Sequence, residues 1–128
     1  MALRCLIVDD SPAFRRVAST LLQQQGISVV GVAASGIEAI TRAHELRPDV
    51  ALVDIDLGDE SGFAVVRELA ARDGALTNGA ILISTHAEEE FAELIEASPA
   101  VGFLAKSNLA ADAIEALLDE PRSRPEGE

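Results

Sequence analysis

The sequence predicts an α/β domain, a doubly wound five-stranded parallel sheet with a helix after each strand. Three observations carry that expectation. Five short apolar runs of strand length alternate along the 128 residues with five stretches of helical periodicity. Their connections are short, which implies right-handed crossovers and a parallel sheet with helices on both faces. The third run, Val50 to Val53, is apolar without alternation, the mark of a strand covered on both sides, and it stops at Asp54.

Leu3 to Val8 (LRCLIV) reads as the first strand and ends in Asp9 and Asp10. Ser11 then fits a helix N-cap with Pro12 at the first helical position, and Phe14, Val17, Ala18, Leu21 and Leu22 recur at helical spacing up to Gly26. Ile27 to Ala33 is the second strand. Ser35-Gly36-Ile37-Glu38 is a capping-box pattern for a helix carrying Ile37 and Ile40 and ending near Arg47-Pro48. After Asp54, the cluster Gly58, Asp59, Ser61 and Gly62 predicts a loop, followed by a helix from about Phe63 to Arg72 with Phe63, Val66, Leu69 and Ala70 on one face. Asp73-Gly74 and Asn78-Gly79 mark another loop. Ala80 to Ser84 is the fourth strand, and Glu88 to Ala97 the fourth helix, with Phe91, Leu94 and Ile95 facing inward until Ser98-Pro99 ends it. Ala100 to Ala105 is the fifth strand. Ser107 or Asn108 is expected to cap the last helix, whose buried side carries Ala110, Ala113, Ile114 and Leu117 and which Pro121 closes.

This length suits one domain, 1–120, and the PRSRPEGE segment at 121–128 has too little apolar surface to fold against anything, so a flexible C-terminal tail is expected. No apolar run has bilayer-spanning length, and the start MALRCLIVDD is wrong for a signal peptide, which points to a cytoplasmic protein with no membrane partner. The single Cys5 excludes an internal disulfide and zinc held by cysteines, leaving core packing as its role. Asp and Glu total 22 against 10 Lys and Arg, a formal charge of −12 that argues against direct nucleic-acid binding. The same charge favours divalent cations and basic partners, although a solvated acidic surface is its commoner cause.

In a parallel sheet every strand ends on the same edge. Asp9-Asp10, Asp54, Ser84-Thr85 and Lys106, which follow strands one, three, four and five, therefore share one rim. If strands one and three are neighbours, as in the flavodoxin-like order 2-1-3-4-5, the three acids meet at the switch point where open α/β sheets bind ligands. Three close carboxylates repel unless a cation joins them, and an all-oxygen set with room for water and phosphate suits Mg²⁺. The plainer readings are a helix-capping Asp9 or Asp10, a turn-capping Asp54 and a surface Lys106. Ser11 already fits the cap, and a shared rim would supply the parts of phosphoryl transfer: nucleophile, metal, positive charge and hydroxyl.

These residues resemble the receiver domain of bacterial two-component response regulators, of the chemotaxis-receiver kind, from about Leu3 to Leu118. The resemblance implies a phosphoprotein of signal transduction or a phosphorelay. Asp54 would accept a phosphoryl group as an aspartyl phosphate from a sensor histidine kinase or histidine phosphotransfer protein. It implies a Mg²⁺ cofactor held by Asp9, Asp10, Asp54 and the backbone carbonyl of Asp56, with Lys106 and Ser84 as catalytic groups. Family spacing selects Ser84 over Thr85 as the switch hydroxyl, and Phe103 matches the switch aromatic, while also fitting as a core phenylalanine. Output would pass through the face of helix four, strand five and helix five to an unknown downstream protein or a homodimer, the chain acting as a stand-alone receiver and not as an enzyme on other substrates. Ser107 stands where the family usually has a cis proline, Gly58 where it has a proline, and Thr85 where it has Ala or Gly. Thr85 is expected to narrow access to Asp54 and slow dephosphorylation, and His86 beyond it reads as a loop histidine.

Two alternatives use the same residues. A phosphorylation-independent pseudo-receiver would keep the fold as a protein-binding module, and Ser107 after Lys106 favours it. A haloacid-dehalogenase-type phosphatase would use Asp54 as nucleophile and Asp56 as general acid; against it, Asp9-Asp10 precedes the nucleophile and nothing forms a cap domain.

Overall fold

The computed structural model of the protein describes residues 2–72 and 76–119; the expected tail at 121–128, Pro121 and Asp73-Gly74 lie outside the described residues. Five strands, β1 (Arg4–Val8), β2 (Ser28–Ala33), β3 (Val50–Asp54), β4 (Gly79–Ser84) and β5 (Gly102–Ala105), form a parallel sheet in the order β2-β1-β3-β4-β5. That is the expected doubly wound α/β fold with strands one and three adjacent. The register pairs Val8 with Val53 and Asp54 with Ile83, so the acid-bearing ends of β1 and β3 lie side by side.

Side-chain alternation along the central strands divides the core. Leu6, Val8, Ala51, Val53, Ala80 and Leu82 face one way, against α2 (Gly36–Leu46) and α3 (Gly62–Ala71). Cys5, Ile7, Val50, Leu52, Ile81 and Ile83 face the other way, against α1 (Pro12–Gln24) and α5 (Ala111–Asp119). All but one of these twelve side chains are fully buried, and each large aliphatic one removes enough apolar surface from water to stabilise the fold by about 1.5–3 kcal/mol. α4 (Ala92–Ala97) packs on the first face through Ile95.

The caps follow the expected chemistry at three helices. Ser11, Ser35 and Ser61 each accept a backbone N–H in the first turn of α1, α2 and α3. The Glu38 carboxylate turns back to accept the Ala34 N–H at 2.8 Å, close to the capping-box geometry. No helix among the described residues is long and apolar enough to cross a membrane.

Several expectations are corrected. On α1 the inward stripe is the partly buried Phe14 with the buried Ala18 and Leu22, each one helical turn from the next, and Val17, about 100° off that line, is exposed. Ala70 likewise faces out from α3. The fourth helix divides into a 3₁₀ turn, Glu88–Phe91, and the short α4; Phe91 and Ile95, four apart, point inward and Leu94 is 55% exposed. Ser107 and Asn108 lie in a 3₁₀ turn, Lys106–Asn108, and do not cap α5. Its first N–H, from Ala111, donates to Gln25 Oε1 at 2.6 Å, a cap supplied from 86 residues away. The loop after Asp54 is a small antiparallel hairpin pairing Asp56 with Ser61 and Leu57 with Glu60. Gly58 opens its two-residue turn at φ +72, a conformation that a proline, fixed near −65°, cannot adopt.

Candidate functional site

β1, β3 and β5 deliver their terminal residues to one rim. Asp9 is fully buried, with its N–H donating to the Ala33 carbonyl at 2.9 Å and its Oδ1 accepting the Ser11 N–H at 2.9 Å. Its carbonyl accepts from Arg15 Nη1 at 2.6 Å. Asp54 is 6% exposed, and its Oδ1 accepts the Asp56 N–H at 3.0 Å. Lys106 Nζ stands between the two acids, 2.7 Å from Asp9 Oδ2 and 3.0 Å from Asp54 Oδ2, and its third neighbour is the Phe14 ring, 4.2 Å from the centroid.

Asp10 completes the cluster. One oxygen each of Asp9, Asp10 and Asp54 lie within 4.8 Å of one another, and with Lys106 the group carries a formal charge of −2. Asp9 Oδ2, though beside the lysine, is buried without a well-aligned hydrogen bond. A hard divalent cation fits that all-oxygen donor set and would neutralise the residual charge.

A pocket of about 230 Å³ opens over Asp54, with Asp10, Asp56, Gly58, Ser84 and Thr85 in its wall. Ser84, at the end of β4, is 1% exposed and its Oγ accepts the His86 N–H at 2.9 Å, whereas Thr85 is exposed. His86 is an exposed loop residue, 3.5 Å from Glu90 and edge-on to Phe91. Phe103, half-buried on β5, packs against the same cluster as Phe63 and Phe91. A larger groove of about 530 Å³ between α2 and α3 contains neither the lysine nor the three-aspartate cluster, so size does not mark the chemistry here.

Burial works against the charged form of Asp54 and raises its pKa above the ordinary carboxylate range, although the Asp56 N–H and Lys106 oppose the rise. Burial would also discharge Lys106, but the contacts with Asp9 and Asp54 outweigh it and hold the pKa above that of a free lysine. The two shifts describe one arrangement: a firmly protonated ammonium shared by two acids, one of which is incompletely compensated.

All seven residues expected at the site lie on this rim or, for Phe103, on β5 three residues before Lys106. Four neighbours were not anticipated. Phe14 and Arg15 carry only a helical-periodicity signal, and nothing local shows that they reach Lys106 and Asp9. Glu60 reaches from the hairpin to accept the Gly36 N–H at 2.8 Å, joining the segment after Asp54 to the start of α2. Gly62 was visible only as a loop breaker; its Cα lies so close to Asp54 that a Cβ would sit 2.0 Å from the Asp54 carbonyl oxygen.

Residues 5–118 match the family described as response regulator receiver domain. Over 73 residues the chain is 45% identical to a protein-glutamate methylesterase/protein-glutamine glutaminase of Alkalilimnicola ehrlichii, covering 56% of this chain and 19% of that protein. It is 44% identical over 70 residues to the response regulator protein VraR of Staphylococcus epidermidis, covering 54% of this chain and 34% of VraR. The alignments thus reach only a fifth to a third of those relatives' length. Among solved structures it resembles a LuxR-family two-component response regulator from Aurantimonas sp. SI85-9A1, with a TM-score of 0.78 at 28% identity over 92% of this chain and 86% of that one. It also resembles the chemotaxis response regulator CheY4 of Vibrio cholerae, with a TM-score of 0.79 at 25% identity over 91% and 99%. Domains of this family bind Mg²⁺ at an acidic pocket and work with histidine kinases and downstream effectors. With its 2-1-3-4-5 parallel sheet, the aspartate-lysine rim and a match spanning nearly its whole length, the chain belongs to the response regulator receiver domain family of two-component signalling.

Proposed function

We propose that Asp54 accepts a phosphoryl group from a phosphohistidine, presented by a sensor histidine kinase or a histidine phosphotransfer protein. The observation that carries this reading is the position of Lys106, whose ammonium touches Asp54 at the edge of a solvent-open pocket already walled by Asp10 and Ser84. An Asp54 carboxylate oxygen attacks phosphorus in line, the phosphorus–nitrogen bond breaks, and the imidazole leaves with the electron pair. Asp9, Asp10 and Asp54, with the Asp56 carbonyl, would hold Mg²⁺, which supplies neutralisation of charge on the phosphoryl oxygens. Lys106 exchanges its hydrogen bond to Asp54 for one to a phosphoryl oxygen. Ser84 Oγ, released from the His86 N–H, orients another.

That exchange is the basis of a signal. Ser84 ends β4 and Phe103 lies on β5, so a new partner for the Ser84 hydroxyl shifts the balance of conformations around Phe103 and changes the surface of α4, β5 and α5. The test is intact-protein mass after incubation with acetyl phosphate or a phosphoramidate, with and without Mg²⁺, for the wild type and Asp54→Ala. A single phosphoryl adduct that requires both Mg²⁺ and Asp54 is expected. A folded protein that takes no adduct from small donors or from histidine kinases is instead a phosphorylation-independent binding module.

A further inference from the structure

Lys106 carries a four-carbon stem with many rotamers, yet its ammonium must lie within hydrogen-bond reach of a carboxylate before transfer and of a phosphoryl oxygen after it. The carboxylates cannot hold it in both situations. A cation shared by Asp9, Asp10 and Asp54 would draw Asp9 away from the ammonium, and phosphorylation would move the negative charge from the Asp54 carboxylate out to the phosphoryl oxygens. The contact that depends on neither is the Phe14 ring, whose face lies 4.2 Å from Nζ. Phe14 is fixed in turn: its N–H donates to Ser11 Oγ at 3.2 Å in the capped first turn of α1, and its ring packs on the α1/α5 side of the core. Nζ therefore has an aromatic wall on one side and the acids on the others, with the side chain 14% exposed.

We infer that Phe14 is a positioning residue for phosphoryl transfer, a cation–π platform that keeps the Lys106 ammonium at the pocket edge as its anionic partners change. Ring and ammonium attract through the ring's quadrupole, and partial burial strengthens that attraction. Leucine at this position would fill much of the volume but give no such attraction, leaving the ammonium free to tilt toward water; tyrosine would keep the ring face.

The inference rests on the phosphoacceptor reading for its kinetic arm only, and two readouts keep the failures apart. The first is NMR of the lysine ε-methylene protons in the metal-free full chain, with Lys106, the sole lysine, giving an unambiguous signal. Wild type and Phe14→Tyr should show an upfield ring-current shift that Phe14→Leu loses. The second is the rate of adduct formation with acetyl phosphate at saturating Mg²⁺, where Phe14→Leu should be about fivefold slower, as expected for a partly desolvated cation–π contact, and Phe14→Tyr within about twofold of wild type. A merely structural role would lower thermal stability in both variants and leave the lysine signal and the rate ratio unmoved. Absence of the ring-current shift in the wild type overturns the inference, and that measurement requires no variant to fold. A Phe14→Leu protein that is folded, has lost the shift and is labelled as fast as wild type also overturns it. A wild type that shows the shift but takes no phosphoryl group from acetyl phosphate or from histidine kinases refutes the phosphoacceptor reading and, with it, the role in transfer.

Discussion

Replacing Gly62 by alanine tests whether the backbone around Asp54 is as tightly closed as it looks. An added Cβ would stand 2.0 Å from the Asp54 carbonyl oxygen and 2.8 Å from both its carbonyl carbon and Ile55 Cα. Each is at least about 0.7 Å inside the usual carbon contact of roughly 3.5 Å, and every clashing atom is backbone, with no side chain to swing aside. The segment is pinned from both directions, by Gly62 N–H to the Ile55 carbonyl at 2.7 Å and Ile55 N–H to the Ile83 carbonyl at 2.9 Å. Overpacking commonly costs about 1–3 kcal/mol, and a clash of backbone against backbone belongs at or above the top of that range. For a domain of this size a loss of 3 kcal/mol lowers the melting temperature by roughly 10–15 °C. Gly26→Ala is the control: its Cβ would meet nothing within 4 Å, and the cost comes only from φ +94, about 1–2 kcal/mol. The chain has neither Trp nor Tyr, so urea unfolding followed by far-ultraviolet circular dichroism is the appropriate assay. A Gly62→Ala protein destabilised by less than about 1 kcal/mol, or by less than Gly26→Ala, would refute the packing argument.

Other perturbations give separate expectations. Burial pushes the Cys5 thiol up to about 12, so at pH 8 only about one molecule in 10⁴ carries a thiolate, against roughly a quarter of unfolded chains; modification by a disulfide reagent should be slow until denaturant is added. Because the folded pKa is the higher one, this group's contribution to stability is intact below about pH 8.5 and declines as pH rises toward 12. Asp54 also has a raised pKa, so its contribution is present at acid pH and lost as pH rises through the folded value; Asp54→Asn should therefore raise the melting temperature at pH 7 without metal, and a drop would contradict the assignment of burial as the dominant cause. Thr85 lies exposed in the wall over Asp54, and Thr85→Ala should shorten the lifetime of the phosphorylated protein; a longer lifetime rules out the shielding role. Asp9→Asn, which keeps the shape but weakens the ligand, should lower Mg²⁺ affinity about 10-fold or more by calorimetry.

The elements that could be read in advance are those whose causes lie within a few residues. Ser11 with Pro12, and Ser35 with Glu38, mark helix starts because the groups they satisfy are three residues away. The unalternating Val50–Val53 run marks a doubly covered strand, and Asp54 its end. Helix faces were legible only coarsely. Val17 and Leu94 fit an apolar pattern as well as their neighbours do, and which of two adjacent apolar residues is buried depends on the surface opposite. The hairpin after Asp54 leaves no mark in the sequence because its pairing is only two residues long on each side, too short for alternation to show.

By itself the sequence determined the alternation of strands and helices, the acids and lysine at strand ends, and the serine caps, all consequences of local spacing and of the two side-chain periods. Tertiary structure decided what meets across the chain. The adjacency of β1 and β3 turns three separate aspartates into one cluster, and β5 brings Lys106 across 52 residues to Asp54. Gln25 caps α5, Glu60 reaches α2, and Phe14 faces the ammonium for the same reason. These contacts depend on strand order and helix placement, which are set by how the whole core closes, and no local pattern encodes the partner that a side chain will find on a distant segment.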